Sequence, residues 1–374
     1  MKTRILHILD SLDMGGIEVF LMQIYRNIDL NSFQFDFLIF KQNGCFLDEV
    51  KKLGGKIFIC NKNNYLEQII YISSIIKEGN YQIAHCHNCS RRGLIKELVG
   101  AKLGNNCKVI SHSHNTGNCS NNILGKIKEY FFKEIISHNA DEFLACSKDA
   151  AASKYNAEIM KKNRYKIINN GINSREFQFD SEKREIIRKE LGLINNELLI
   201  GNVGRLETQK NQLFLLDIFY EYLKKNEKSK LIIIGNGSLQ NAIREKIHAL
   251  GIDDSVLLVG SVFNVNDYLN AMDIFVFPSL FEGLGISLVE AQCNGLKCLV
   301  SDTLPEEVFL TELVHKQSLK GSATDWSNEI TTISDELILN RKLFAQEISN
   351  RGYTIESAVN QISEIYYMLA KKNL

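Results

Sequence analysis

Polar and apolar positions along the chain switch repeatedly between two periods. Short apolar, β-rich runs alternate with stretches whose apolar residues recur at helical spacing. In the first half the strand candidates are Arg4–Leu9, Phe35–Phe40, Lys56–Cys60, Gln82–His87, Lys108–His112, Glu142–Cys146 and Tyr165–Ile168. Several are unbroken apolar runs, as parallel strands covered on both faces require. Between them Ile17–Asn27, Leu66–Lys77 and Leu124–Ser137 read as amphipathic helices. This βαβαβ order predicts a parallel sheet with helices on both sides.

The same grammar restarts in the second half. Strand candidates are Leu198–Val203, Lys230–Ile234, Val256–Val259, Ile274–Phe277 and Lys297–Ser301, with helices over Gln212–Lys225, Leu239–Leu250 and Ser287–Cys293. The charged, weakly periodic stretch from about Asn170 to Asn196 reads as a linker. After Glu306 strand signals fade, and helices are expected to carry the chain to Leu374. The expected class is α/β, with two doubly wound Rossmann-like domains facing across a ligand-binding cleft.

The stretch from Phe277 to Gly295, FPSLFEGLGISLVEAQCNG, is the richest in candidate chemistry. A strand ends at Pro278, a glycine-bearing turn carries Glu282, and the following helix carries Glu290. Strand-end turns that open into a helix are where open α/β sheets bind anions. The bland alternative is a surface turn with two solvated acids. GNVGRLETQKN, Gly201 to Asn211, follows a buried strand and offers Arg205 and Lys210 in one loop. A guanidinium fork beside a compact ammonium suits a diphosphate; a solvated basic loop is the alternative. The glycine pair Gly15-Gly16 precedes a helix and suits a phosphate, although many tight turns use glycine. In LIIIGNGSL the turn at Gly235 reads as structural, with a modest ligand-side contribution.

Four of the eight histidines form two pairs, His85/His87 and His112/His114, each at a strand end. Residues two apart share a strand face. With Cys89 and Cys119 nearby, zinc is the sharp alternative, but no common zinc spacing is present. The expectation is strand-end histidines lining the cleft, able to donate hydrogen bonds to a substrate, with no metal.

Composition changes the picture little. Apolar content of 45% and charged content of 24% suit a globular chain, and 44 basic residues balance 44 acidic ones. Zero net charge gives no drive toward nucleic acid. No run reaches the roughly 18–20 apolar residues of a membrane span. The N-terminus enters a strand without signal-peptide features, so a cytoplasmic location is expected, and the nine cysteines are expected to be reduced. Ile123–Ile136, ILGKIKEYFFKEII, mixes lysines with large apolar residues. It reads either as an interfacial helix at the inner face of the plasma membrane or as an ordinary packed one.

Taken in order, these pieces resemble the GT4-type retaining glycosyltransferases of the GT-B fold. The matching residues are Gly15-Gly16, His112, Ala145–Ser147 (ACS), Asn170–Asn173 (NGIN) with Phe177, Gly204–Asn211 (GRLETQKN), IIIGNGSL, and PSLFEGLGISLVEAQCNG with its two acids separated by seven residues. The resemblance runs from the first strand to about Pro305 and looks most like enzymes of capsular and exopolysaccharide synthesis. Departures are Asn169 and the position near Lys297, where many relatives have proline, and Leu284, where many have phenylalanine.

The resemblance implies an acceptor-side domain over residues 1–180 and a nucleotide-sugar domain over 181–354, with a helix over about 355–374 returning to the first. It implies hexosyl or N-acetylhexosaminyl transfer from a nucleoside-diphosphate sugar, UDP-sugar by analogy, to a lipid-linked saccharide, with no metal or other cofactor. His112, Glu282, Arg205 and Lys210 would carry the reaction. Gly15, Gly16, Arg205, Lys210, Gly235, Gly283, Leu284, Gly285, Ile286 and Glu290 would hold the donor, with Glu282 toward the sugar and Glu290 on the ribose. The rival functions are a GT-B sugar-nucleotide epimerase, a non-catalytic sugar-nucleotide-binding partner and a zinc-stabilised structural protein.

Overall fold

A computed structural model describes residues 2–42, 44–104, 107–116, 122–194, 197–335 and 340–371. The chain divides into two compact units, Met1–Gly171 with Ile355–Leu374, and Ile172–Thr354.

The first unit runs β1 (Thr3–Leu9), α1 (Gly16–Asn27), β2 (Phe33–Ile39), α2 (Leu47–Lys52), β3 (Ile57–Ile59), α3 (Tyr65–Gly79), β4 (Ile83–Cys86), α4 (Arg91–Lys102), β5 (Lys108–Ser113), α5 (Ile123–His138), β6 (Glu142–Ala145), α6 (Lys148–Lys154), α7 (Ala157–Lys161) and β7 (Lys166–Ile167). Its seven strands lie in the order β3-β2-β1-β4-β5-β6-β7, and every pair is parallel. The unbroken run in β1 follows from this: Ile5, Leu6, Ile8 and Leu9 are all buried, because both faces are covered.

The second unit runs α8 (Ser174–Phe177), α9 (Ser181–Glu190), β8 (Leu198–Val203), α10 (Gln212–Leu223), β9 (Ser229–Ile234), α11 (Gln240–Leu250), β10 (Val256–Gly260), α12 (Val265–Ala271), β11 (Ile274–Phe277), α13 (Ile286–Cys293), β12 (Lys297–Ser301), β13 (Val314–Gln317), α14 (Ala323–Ser334) and α15 (Leu343–Asn350). Its sheet has the order β10-β9-β8-β11-β12-β13, again all parallel. The last helix, α16 (Ile355–Lys371), belongs to the first unit.

Two expectations are corrected. The charged stretch read as a linker contains α9, and the change of unit falls at Gly171–Ile172 rather than at residue 180. Its arginines have structural work: Arg184 donates to the carbonyls of Asn270, Ala271 and Met272 at the end of α12 and pairs with Asp273, which Arg188 also reaches. Cations at a helix C-terminus satisfy its last carbonyls. Beyond Glu306 the chain forms one more strand, β13. Its sequence, VHKQ, carries no apolar run because it is a half-covered edge strand paired only with β12.

In each sheet the strand order reverses beside the first strand, between β1 and β4 and between β8 and β11. Loops at the carboxyl ends of such strand pairs diverge and leave a crevice, which is where open α/β sheets bind ligands. Among the described residues no helix is long and apolar enough to cross a membrane.

Candidate functional site

In the second unit, the loops after β8 and β11 meet at the point of strand reversal. Asn211, held at φ 57° where helix α10 begins, donates from Nδ2 to the Pro278 carbonyl at 3.1 Å. The Leu280 amide donates to the Gln209 carbonyl at 2.8 Å, and the Gln209 side chain donates to the Phe281 carbonyl at 2.9 Å and to Glu282 Oε2 at 3.2 Å. These bonds bring together the cations and the first acid expected from sequence. Lys210 Nζ donates to Glu282 Oε1 at 2.7 Å and stands 4.7 Å from the centre of the Phe277 ring. The pair is sheltered, with side chains 13% and 6% exposed. Low local polarity strengthens such a pair and makes removing one partner costly. Arg205 is exposed in the same loop, and among the described residues its guanidinium has no hydrogen-bond partner.

Glu290 lies in the second turn of α13. Burial pushes its carboxyl up to about 8; the like charge of Glu176 adds to the rise, and Lys210 opposes it. The acid is therefore held largely protonated at neutral pH, and a ligand that donates hydrogen bonds to it would favour its ionisation. Gly285, at φ 81°, opens α13 with no side-chain cap. Its first-turn amides therefore add a partial positive charge beside the Lys210 loop. Gly283 and Leu284 are buried in this turn and Ile286 is partly exposed. Gly235 has a structural reason: it sits at φ 139°, and a Cβ there would stand 2.1 Å from the Gly204 carbonyl oxygen.

In the first unit, beside the reversal between β1 and β4, lies a layer of five imidazoles; His7, His85, His87 and His112 are fully buried rather than lining an open cleft as expected, and His114 is partly exposed. His7 of β1 pairs in register with His85 of β4, and His87, His112 and His114 continue the layer on β4, β5 and the residues just beyond them. His7 Nδ1 lies 3.1 Å from His87 Nε2, and His87 Nδ1 lies 2.9 Å from His114 Nε2. Separately, Tyr366 Oη of α16 lies 2.8 Å from His85 Nδ1, and His85 Nε2 lies 3.1 Å from His112 Nδ1. Burial holds all five neutral: His7 and His114 are lowered to about 3, and His85, His87 and His112 fall well below the ordinary value. Among the described residues, His7 Nε2, His112 Nε2 and His114 Nδ1 are buried without a partner.

By distance two groups, His7/His85/His87 and His87/His112/His114, could hold a metal ion, since their ring nitrogens lie within 4.8 Å of one another. Neither group includes Cys89, and Cys119 lies outside the described residues. Gly15 precedes α1 in extended backbone at φ −133°, and Gly16 begins the helix. Apart from its chain neighbours and the backbone of its own helix, no described atom lies within 4 Å of the place where a Gly16 Cβ would stand, so the fold itself does not demand glycine there.

Sequence reasoning missed His7, Gln209, Asn211 and Tyr366. His7 sits alone in an apolar strand, and only the register of β1 on β4 brings it to the other four. An asparagine immediately before an apolar helical run is the signal that marks Asn211 as a left-handed helix start.

A family described as "Glycosyl transferases group 1" matches residues 183–345, which lie in the second unit. EpsF of Bacillus subtilis (strain 168), named as a glycosyltransferase, is 29% identical over 379 residues, covering 100% of this chain and 98% of that protein. The UDP-Gal:alpha-D-GlcNAc-diphosphoundecaprenol alpha-1,3-galactosyltransferase of Escherichia coli is 24% identical, covering 98% and 97%. Among solved structures, Anabaena HepE in complex with UDP superposes with a TM-score of 0.77 at 17% identity, covering 98% of this chain and 100% of that one.

Proposed function

On the premise that the chain is a GT4-type glycosyltransferase with the GT-B fold, we propose that it transfers a hexose or N-acetylhexosamine from a UDP-sugar to a growing, lipid-linked polysaccharide unit with retention of configuration. The observation that carries this reading is the 2.7 Å Lys210–Glu282 pair, set beside the exposed Arg205 and the uncapped start of α13. HepE is described in complex with UDP and with UDP-glucose, and the Escherichia coli relative is named for a diphosphoundecaprenol-linked acceptor. Both support the choice of donor and acceptor.

The chemistry follows from the side chains. Arg205 offers a full fork of donors, and Lys210 has donors to spare beyond the one used by Glu282. Both can meet a diphosphate while Glu282 stays close by. The bond from the anomeric carbon to the diphosphate oxygen breaks, and charge grows on that oxygen. Fixed positive groups that already point there stabilise it more than they stabilise the intact donor. The acceptor hydroxyl attacks from the same face, and its proton passes to the departing diphosphate. Glu282 supports the positive charge that develops on the sugar, Glu290 accepts from the ribose hydroxyls, and His112 positions the sugar. No covalent intermediate is invoked.

A panel of sugar nucleotides, scored by thermal shift and by free UDP in the presence of acceptor, tests the reading. Lys210→Ala is expected to abolish transfer with the fold intact, and near-normal turnover of that variant would refute the diphosphate role. Sugar released or epimerised without an acceptor product would favour the epimerase reading instead.

Helix α5 supports peripheral contact with an anionic membrane surface. Ile123, Leu124, Ile127, Tyr130, Phe131 and Ile135 are all exposed on one helix, the first two at 77% and 72%. Lys126 and Lys128 stand exposed among them. An apolar stripe flanked by lysines fits an anionic interface. Co-sedimentation with phosphatidylglycerol vesicles should fall when both lysines become glutamate; equal binding to neutral vesicles, or none, would refute the assignment.

A further inference from the structure

The two imidazole chains in the first unit differ in one respect that decides the chemistry of His112. The chain His7–His87–His114 has no partner at either end, since His7 Nε2 and His114 Nδ1 are both buried and unsatisfied. Both of its ends are imidazole nitrogens, so nothing of different chemistry fixes the direction of its protons. The other chain ends on a phenol. Tyr366 is fully buried, and among the described residues the only hydrogen-bond partner of its hydroxyl is His85 Nδ1 at 2.8 Å.

A hydroxyl with one partner can donate to it or accept from it. Either direction leaves one buried donor unmade, the phenol O–H or the His112 Nε2–H, so what decides is strength: a phenol is a strong donor and a weak acceptor, whereas an imidazole nitrogen is a strong acceptor. Tyr366 therefore donates, and His85 Nδ1 accepts. A neutral imidazole carries one proton, so His85 bears it on Nε2. That N–H donates across 3.1 Å to His112 Nδ1. His112, neutral as well, must then carry its proton on Nε2, the nitrogen that is buried without a partner.

We infer that Tyr366, acting through His85, is a positioning residue that locks His112 as the Nε2–H tautomer, a neutral hydrogen-bond donor for an uncharged oxygen of the sugar substrate. In this form His112 offers no basic nitrogen, since its lone pair on Nδ1 is occupied by His85. It can polarise or orient a hydroxyl or ring oxygen, and it does not deprotonate an acceptor. The functional part of this inference rests on the glycosyltransferase reading above; the tautomer does not.

The test uses the full chain with 15N-labelled histidine. Two-bond 1H–15N spectra distinguish the two tautomers directly. In the wild type His112 should show a protonated Nε2 and a bare Nδ1, and Tyr366→Phe should convert it to a mixture of both forms. A wild-type His112 protonated on Nδ1, or one unchanged by Tyr366→Phe, overturns the relay. In turnover assays Tyr366→Phe should lower kcat roughly 3- to 10-fold, the worth of one neutral hydrogen bond, with KM for the donor little changed. In a His112→Ala background the same substitution should have no further effect; a loss of the same size there would mean Tyr366 acts through packing alone. Wild-type turnover by His112→Ala, alongside the expected spectra, would refute the role of His112 in transfer while supporting the relay.

Discussion

Glu290 offers the sharpest quantitative test of the nucleotide assignment. Its carboxyl is pushed up to about 8 because burial and Glu176 outweigh the help of Lys210. Ribose hydroxyls donate best to a carboxylate, so binding should require the ionised form. With a midpoint of about 8, roughly a tenth of the molecules are ionised at pH 7 and about three quarters at pH 8.5. Affinity for UDP should therefore rise about eightfold across that interval, a gain of roughly 1.2 kcal/mol. The diphosphate is already ionised in this range, since its last proton leaves near pH 6, so it adds little slope. At pH 7 binding should also release close to one proton. Titration calorimetry in phosphate and in Tris, buffers of very different ionisation heat, reads both quantities. Glu290→Gln should bind with the weak, pH 7 affinity throughout and release no proton. An affinity that is flat in the wild type, or a slope that persists in Glu290→Gln, would show that the acid does not meet the ribose.

Lys210→Met should leave the buried Glu282 carboxylate without its countercharge, costing about 3–5 kcal/mol and lowering the melting temperature of the second unit by roughly 10 °C; adding Glu282→Gln should recover more than half of that, and strictly additive effects would rule out the pair as a coupled unit. Below pH 6.5 the unfolded chain protonates five histidines that the folded first unit keeps neutral. Folded values lie below unfolded ones, so stability is lost as pH falls, by up to about 7 kcal/mol on reaching pH 5.5. Circular dichroism with pH should show cooperative loss near pH 5, and a flat profile to pH 4 would refute neutral burial. The two glycine sites should behave oppositely: Gly235→Ala meets a carbonyl at 2.1 Å at φ 139° and should cost more than about 2 kcal/mol, whereas Gly16→Ala should fold normally and lose transfer. Normal transfer by Gly16→Ala would remove the phosphate role from that turn.

Strands buried on both faces were legible because their sequences run almost wholly apolar, as in the LIII of β9 and the IFVF of β11. β13 was not, because a half-covered edge strand can be VHKQ. The acids and cations of the second unit were legible as members of two loops. Their direct pairing was not, since it depends on Gln209 and Asn211 fastening those loops across about seventy positions of sequence. The histidine pairs announced a common strand face, yet the full layer needed strand register for His7 and a distant helix for Tyr366. Charge patterning misled in α9, where arginines read as linker residues serve as caps for α12.

Helix α16 closes the core of the first unit with Ile355, Val359, Ile362, Ile365 and Leu369, yet it is encoded after the whole of the second unit. On a ribosome, the sheet of the first unit must wait uncovered while Ile172–Thr354 emerges and folds. The first-encoded unit is then the second to be completed. Until α16 arrives, the Phe33 and Phe35 surface that it covers is exposed, and His85 has no phenol to orient it. Assembly of the imidazole layer is in this sense a signal that synthesis has passed α16. Chains arrested before that helix should expose apolar surface, engage chaperones and lack ordered histidine tautomers, even though their nucleotide-sugar unit is already folded.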